Sequence, residues 1–177
     1  KLLCPFQYFG VTDTVDLDTL KWSAGGYQKS ELEKVYTFSG AVANRRADHV
    51  VTSLLKYVTD IDEVKGLGFC VTVDHARFMC RYFNEHNIPS IFLTGQSPDE
   101  ERKTAKQLLV SGKIRFIFVV DIYNEGVDIP EVNTVLFLRP TESLTVFLQQ
   151  LGRGLRLSED KESLTVLDFI GQANRRY

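Results

Sequence analysis

The sequence has little cysteine and no long apolar run. Its three cysteines, Cys4, Cys70 and Cys80, are too few and too scattered for a disulfide framework, and no cysteine and histidine spacing predicts a metal site. A reducing, cytoplasmic setting is the simplest expectation. No apolar stretch approaches the roughly 18 residues of a membrane span, and no signal-peptide pattern is present. These absences disfavour a secreted disulfide-rich protein and any membrane partner.

The chain also lacks an excess of charge of one sign. Its 21 Lys and Arg residues and 23 Asp and Glu residues give a formal net charge of -2. Contact with nucleic acid must therefore come from a local basic patch rather than from overall charge. The 177 residues fit one domain with a sizeable core, and because the first residue is Lys1, we expect the chain to be a piece of a longer protein.

A phosphate-binding P-loop is missing as well. The pattern GxxxxGK followed by Ser or Thr does not occur, because the pair Gly112-Lys113 is followed by Ile114 and has Gln107 where the first glycine is required. The acidic run at 99–101 follows a Ser-Pro pair, which predicts the start of a helix instead of a Mg²⁺ site at the end of a strand. The chain is not expected to hold a nucleoside triphosphate alone.

Short apolar runs alternate with helical segments from residue 67 onward. The runs are LGFCVTV, SIFLT, IRFIFVV, TVLFLR and SLTVLDF. This alternation predicts an α/β fold, an open and mainly parallel sheet of about five strands flanked by helices. Ligands of such sheets bind beyond the carboxyl ends of the strands. Functional residues are therefore expected just after Val73, Thr94, Val120 and Leu138.

The N-terminal part has a different character. Residues 1–38 mix aromatic residues with turn formers without a sustained period, which predicts an irregular arm with one short helix after Ser30 and a domain at 39–177. Residues 40–60 predict an amphipathic helix with Arg45 and Arg46 on its solvated face. Another helix is expected to have Ser97 as its N-cap and to end at Gly112.

The stretch QQLGRGLRL at 149–157 has the most distinctive polar pattern. On a helix, Gln149, Arg153 and Arg156 form one stripe, and four leucines lie on roughly the opposite side. Guanidinium groups bind phosphate oxygens bidentately. The glycines beside Arg153 each cost roughly 1 kcal/mol in a helix, which favours a surface approached closely by a ligand or a domain. A solvated arginine face is the alternative.

A second polar pattern follows the run IRFIFVV. In VVDIYNEGVDIP at 119–130, an apolar strand ends on Asp121 and a turn carries Gly126 and Asp128 before Pro130. Exposed backbone around Gly126 can cradle a phosphate or a ribose, and Asp128 can accept a hydrogen bond from a hydroxyl or an arginine. A plain βα turn is the alternative.

In this order, DIYNEGVDIP and QQLGRGLR resemble motifs V and VI of the superfamily 2 helicases and nucleic-acid translocases. Upstream, GFCVTVDHARFM is similar to motif IV, and the resemblance covers roughly residues 41–170. The residues of motifs V and VI are more similar to those of the restriction-enzyme-like branch than to those of the DEAD-box RNA helicases, whose motif VI begins with His-Arg. The resemblance implies a C-terminal RecA-like domain.

The resemblance also implies roles for individual residues. Arg156 matches the arginine finger that reaches the γ-phosphate on a partner domain, and Arg153 matches its companion. Three positions, Gln149, Gly126 and Asp128, match residues at the nucleotide. The positions implied for the nucleic-acid backbone are Thr72, His75, Thr94, Gly95 and Arg139.

The implied activity is shared between two domains. ATP and Mg²⁺ would be bound mainly by an N-terminal RecA-like domain of the same longer chain, so this chain alone is expected to be inactive as an ATPase. Nucleic acid, with DNA favoured, is the expected partner. Strand-separating helicase and duplex translocase both remain open. The alternative from another class is a non-catalytic α/β module that binds a nucleotide or a protein.

Overall fold

The computed structural model describes residues 6–11, 22–23, 26–27, 40–120, 131–139 and 164–169. A 3-10 turn spans Ile61–Glu63. The helices are α1 (Gly40–Tyr57), α2 (Val73–Glu85) and α3 (Asp99–Val110). The strands are β1 (Phe6–Gly10), β2 (Trp22–Ser23), β3 (Gly26–Tyr27), β4 (Gly66–Phe69), β5 (Ser90–Phe92), β6 (Phe116–Val119), β7 (Thr134–Phe137) and β8 (Leu164–Asp168).

Six of these strands form one sheet in the order β1-β8-β7-β4-β6-β5. Every pairing in it is parallel, and β2 and β3 form a separate antiparallel pair. Each of the five predicted apolar runs contains one strand of the large sheet. The predicted open, parallel α/β sheet is therefore confirmed.

Strand β1 comes from the segment predicted as an irregular arm. It pairs with β8 from Phe6 opposite Leu164 to Gly10 opposite Asp168. The Tyr8 hydroxyl donates a hydrogen bond to the Asp168 carboxylate. Part of the predicted arm is thus an edge strand of the sheet. The short helix predicted after residue 30 lies outside the described residues, and the domain boundary at 38 stays a prediction.

Helices cover both faces of the sheet. On one face, α1 and α2 contribute buried residues that pack with the phenylalanines of β6. On the other face, α3 contributes Ala105 and Leu109, which pack with Leu67, Ile117 and Val166. The α1 and α2 residues on the first face are Ala47, Val50, Val51, Leu54, Ala76, Met79, Cys80 and Phe83. Among the described residues, no helix is long and apolar enough to cross a membrane.

Two glycines in β4 make room for aromatic rings on the first face. A Cβ built on Gly68 would lie 2.4 Å from the Phe118 ring, and one on Gly66 would lie 2.2 Å from the Phe116 ring. The Phe83 ring packs edge-on against both rings, at a centroid distance of 5.3 Å from Phe116 and 4.9 Å from Phe118. The glycines therefore let three fully buried rings lie against the central strand.

Replacing Gly68 with alanine is expected to lower the free energy of unfolding by about 1–3 kcal/mol, because the fully buried Phe118 ring would have to shift to admit the Cβ. Urea unfolding followed by circular dichroism measures this change. Gly10→Ala is the matched control, since its Cβ would lie 3.7 Å from the nearest atoms. Equal losses in the two variants would contradict the packing argument.

The ends of α3 differ in part from the prediction. Pro98 is the N-cap, without a side-chain hydrogen bond, and the predicted cap Ser97 instead accepts a hydrogen bond from the Thr94 N–H through Oγ, at 3.0 Å. The Ser97 hydroxyl thus closes the preceding turn rather than the helix. The C-terminal prediction is confirmed, because Gly112 has a φ of 85° and its N–H donates to the Leu109 carbonyl.

The prediction for α1 was wrong at one arginine. Arg45 is exposed as expected, but Arg46 is buried, with 3% of its surface exposed. The reason is helical spacing, since Val50 lies one turn beyond Arg46 on the same face and is itself 1% exposed. The long aliphatic stem of arginine allows such a position beside a core. Arg46 thus belongs to the interior of the domain.

Candidate functional site

The carboxyl edge of the sheet brings several predicted site residues together. Because the strands are parallel, the segments that follow β4, β5, β6 and β7 all leave from the same edge. Strand β4 lies in the centre, with Phe69 opposite Val119 on one side and Phe137 on the other. The segments carrying Thr72 and Arg139 are therefore neighbours, and the segment carrying Thr94 leaves the edge two strands away from β4.

The segment after β4 forms a capped helix start. The strand ends at Phe69, so Val73 is the first residue of α2 and not the strand end that was predicted. Thr72 is the N-cap, and its Oγ1 accepts from the His75 N–H at 3.1 Å. The His75 ring reaches back and its Nδ1 accepts from the Val71 N–H at 2.9 Å. Both polar side chains thus hold this turn, and their contact with nucleic acid stays a prediction.

His75 is kept neutral by its surroundings. Burial, together with smaller contributions from the nearby cations of Arg46 and Arg139, lowers the pKa of His75 to about 3. Since Nδ1 accepts a hydrogen bond, the neutral ring carries its proton on Nε2. The edge therefore combines two fixed cations with a neutral imidazole.

Cys70 lies in the same region as a buried thiol. Burial raises the pKa of Cys70 far above its usual range, so the thiol does not ionise near neutral pH. Its neighbour along the chain, Phe69, is fully buried as well. Cys70 acts as a small core residue, as a thiolate is required for nucleophilic or redox chemistry.

Arg139 connects two of the segments at this edge. Its Nη1 donates to the Val120 carbonyl at 2.5 Å. Because β4 lies between β7 and β6, the arginine side chain reaches across the central strand. Val120 is the last described residue before the segment predicted to carry Gly126 and Asp128, so Arg139 fixes the starting point of that segment.

The segment after β5 is a tight polar turn. The Gln96 N–H donates to Thr94 Oγ1 at 3.0 Å, and the Ser97 N–H donates to the Thr94 carbonyl at 3.1 Å. Within the part of the chain that the structure describes, these bonds leave the Gly95 N–H and the Thr94 hydroxyl proton without an acceptor. Gly95 is exposed. The turn can therefore offer two donors to an anion.

Arg102, which sequence reasoning missed, holds this turn from α3. Its Nη2 donates to the Thr94 carbonyl at 2.9 Å, and its Nε donates to the Ser97 carbonyl at 3.1 Å. Sequence offers only a weak signal, an arginine one turn into a helix after a Thr-Gly turn. Sequence reasoning also missed Asp168, although a carboxylate at the end of an apolar strand is a signal of a functional residue. The Asp168 side chain is fully buried beside Tyr8.

The predicted residues of the nucleotide half lie outside the described residues. These are Gly126, Asp128, Gln149, Arg153 and Arg156, and their roles stay predictions. Among the described residues, no group of three or more His, Cys, Asp or Glu side chains could hold a metal ion.

Comparison with known families decides the classification. The model described as "Helicase conserved C-terminal domain" matches residues 49–158, which is more than half of the 177 residues. The chain belongs to this helicase C-terminal domain family. The match runs from the middle of α1 to beyond the predicted motif VI, so the predicted superfamily 2 membership is confirmed.

Two named proteins illustrate the relatives of this helicase C-terminal domain. The Saccharomyces cerevisiae protein named "Putative ATP-dependent helicase IRC3" is 26% identical over 175 residues, covering 98% of this chain and 24% of its own length. The Escherichia coli type I restriction enzyme EcoKI endonuclease subunit is 29% identical over 135 residues, covering 68% of this chain and 12% of its own length. The chain thus spans a quarter or less of these relatives, and one of them is a restriction enzyme, as the predicted branch implies.

Solved structures support the fold of the helicase C-terminal domain. The Escherichia coli DEAD-box protein SrmB, bound to the regulator RraA, has a TM-score of 0.57 at 18% identity, covering all of this chain and 87% of that one. The helicase domain of Hef from Pyrococcus furiosus has a TM-score of 0.52 at 20% identity, covering 76% of this chain and 27% of that one. At such identities the likeness concerns the fold, which is the predicted RecA-like sheet.

Proposed function

We propose that this chain is the second motor domain of an ATP-dependent helicase or translocase that acts on nucleic acid, with DNA favoured. The observation that carries the proposal is the family match over residues 49–158, which includes the stretches predicted as motifs V and VI. The names of the relatives support ATP-dependent helicase activity in longer proteins. The partner domain is an N-terminal RecA-like domain of the same longer chain.

The proposed nucleotide half closes against that partner domain. Arg156 is the arginine finger, and Arg153 and Gln149 accompany it in the cleft. Gly126 and Asp128 lie at the nucleotide sugar or link it to motif VI. ATP and Mg²⁺ are held mainly by the partner domain, consistent with the missing P-loop. A guanidinium at the transferring phosphoryl group stabilises its negative charge in the transition state.

The proposed nucleic-acid half uses the carboxyl edge of the sheet. Support comes from the cation of Arg139, which binds the Val120 carbonyl at the end of β6, and from the two donors of the turn at Thr94 and Gly95. Backbone N–H groups and hydroxyls bind phosphate oxygens without regard to base sequence. Thr72 and His75 contribute through the shape of the α2 start. Closing and opening of the domain cleft then moves the motor along a strand.

The isolated 177-residue chain is expected to hydrolyse no ATP, because the groups that hold the β-phosphate are not in its sequence. Phosphate release by the chain and by the full-length protein, each with and without DNA, measures this. Circular dichroism of the chain serves as the check that it is folded. Hydrolysis by the chain that disappears on changing Arg156 would refute the shared active site.

The two motor activities separate in one pair of assays. Strand displacement from a partial duplex measures strand separation, and displacement of a triplex-forming strand measures movement along intact duplex. Activity in the second assay alone assigns a duplex translocase. Activity in neither assay, with no DNA-stimulated ATP hydrolysis, would contradict the motor proposal.

A further inference from the structure

We propose that Arg102 is a positioning residue that presents the Gly95 N–H to a phosphodiester oxygen of the bound nucleic acid. The inference rests on the proposed function, in which the carboxyl edge of the sheet binds a nucleic-acid backbone. It adds a residue that does not touch the ligand but sets the direction of a donor that does.

The guanidinium of Arg102 binds the turn at two points. Nη2 donates to the Thr94 carbonyl at 2.9 Å and Nε donates to the Ser97 carbonyl at 3.1 Å. The Arg102 N–H also donates to the Pro98 carbonyl at 3.1 Å, which fixes the root of the side chain in the first turn of α3. A planar fork that spans two carbonyls restrains the turn far better than a single bond can.

The direction of the Gly95 N–H follows from peptide geometry. The Thr94 carbonyl and the Gly95 N–H belong to one planar trans peptide group, in which C=O and N–H point in opposite directions. Arg102 and the Ser97 N–H both bind that carbonyl, so they draw it toward α3. The Gly95 N–H is therefore directed away from α3, and Gly95 itself is exposed.

Charge strengthens the same donor. A cation at the carbonyl oxygen polarises the peptide group and makes its N–H a better donor to an anion. The other backbone donors of the turn are used internally, since the Thr94 and Gln96 N–H groups bind the Ser97 and Thr94 hydroxyls. The bonds within the turn thus select the Gly95 N–H as the outward donor.

The test compares Arg102→Gln with Arg115→Gln in the full-length protein. Arg115 is a matched control, because its Nη1 donates to the Gly112 carbonyl at 2.8 Å, a turn that precedes β6 at the amino edge of the sheet. Both changes remove one positive charge. Fluorescence anisotropy with a labelled single-stranded oligodeoxynucleotide gives Kd at several salt concentrations, and thermal unfolding verifies that each variant is folded.

Arg102→Gln is expected to raise Kd roughly tenfold, which is the loss of affinity expected when one hydrogen bond to a charged group is lost. The slope of log Kd against log salt is expected to stay unchanged, because the lost donor is neutral and releases no counterion. Arg115→Gln is expected to bind like the wild type. In DNA-stimulated ATP hydrolysis, Arg102→Gln is expected to need more DNA for half-maximal stimulation, with the rate at saturating DNA unchanged.

Three results would overturn the inference while leaving the proposed function intact. The first is an unchanged Kd in Arg102→Gln. The second is a salt slope smaller by about 0.7, which marks direct contact of Arg102 with a phosphate of a single strand. The third is an additive loss when Arg102→Gln is combined with Gly95→Pro, which removes the donor itself. A wild-type protein that binds no DNA would overturn the proposed function and this inference together.

Arg102→Lys keeps the experiment decisive if the glutamine variant does not fold. An ammonium retains the charge and can bind one of the two carbonyls. We expect a Kd between those of the wild type and of Gly95→Pro, with an unchanged salt slope. A Kd equal to that of the wild type would show that the two-point restraint is unnecessary.

Discussion

Replacing Arg156 with alanine in the full-length protein is expected to lower nucleic-acid-stimulated ATP hydrolysis by roughly 10³- to 10⁵-fold, the contribution of an arginine finger in related phosphoryl-transfer enzymes. The physical reason is that a guanidinium at the γ-phosphate stabilises charge that is largest in the transition state. Steady-state phosphate release at saturating ATP and DNA measures the loss.

Binding measurements and a matched variant make this result specific. ATP and DNA binding by Arg156→Ala should change little, because the nucleotide is held mainly by the partner domain. Arg81→Ala is the control, since Arg81 is exposed on α2 and its guanidinium lies 5.7 Å from the Phe78 ring centroid. Unchanged hydrolysis in Arg156→Ala would favour the non-catalytic binding module.

Acidification from pH 6.5 to pH 4 is expected to destabilise the chain by about 3 kcal/mol through His75 alone. The pKa of the folded-state ring is about 3, whereas an unfolded histidine titrates near 6.5. Between these values the unfolded state binds the extra proton, so stability falls as the pH falls. Well above pH 6.5 the ring is neutral in both states and contributes no pH dependence. Urea unfolding at a series of pH values measures the change.

The variant His75→Asn separates this effect from the titration of carboxylates. An asparagine Oδ1 can take the place of Nδ1 as acceptor for the Val71 N–H, but the amide does not titrate. Whatever its stability at pH 7, the variant is expected to lose about 3 kcal/mol less than the wild type between pH 6.5 and pH 4. Equal losses in both proteins would show that His75 is not held neutral.

The sheet was predictable because its strands are buried on both faces. Apolar runs of five to seven residues in regular alternation with helices leave few other arrangements, and each of the five contributes a strand. Strand β1 was not predicted, because its sequence FQYFG is short and aromatic and lies far from the other strands in the chain. The position of β1 in the sheet depends on its pairing with β8, which no local sequence pattern predicts.

The misassigned side chains share one cause. Ser97, Arg46 and Val73 were each assigned by residue type and local position, whereas competing hydrogen bonds and packing determine their roles. The Ser97 hydroxyl binds the Thr94 N–H, and Arg46 lies on the buried face of α1. Val73 is the last residue of the apolar run LGFCVTV, but the Thr72 cap starts a helix there. Residue type alone does not decide between the competing local bonds at Ser97 and at the start of α2.

The candidate site was predictable only in outline. The parallel topology alone implies that Thr72, Thr94 and Arg139 lie near one edge. The sequence did not reveal that the Thr72 hydroxyl accepts a hydrogen bond from the His75 N–H. It also did not reveal that Arg139 reaches the Val120 carbonyl across β4. The Thr72 bond is local, whereas the Arg139 bond requires two segments at a fixed distance, which exists only after the sheet has formed.

The pairing of β1 with β8 has a consequence during synthesis on the ribosome. Tyr8 and Asp168, joined by a hydrogen bond, are 160 residues apart in the chain. At usual translation rates, β1 therefore waits on the order of 10 s for its partner strand. During that interval its aromatic side chains have no neighbour in the sheet and are open to chaperones. Among the described strands of the large sheet, the first in the chain is therefore paired only once the last has been made.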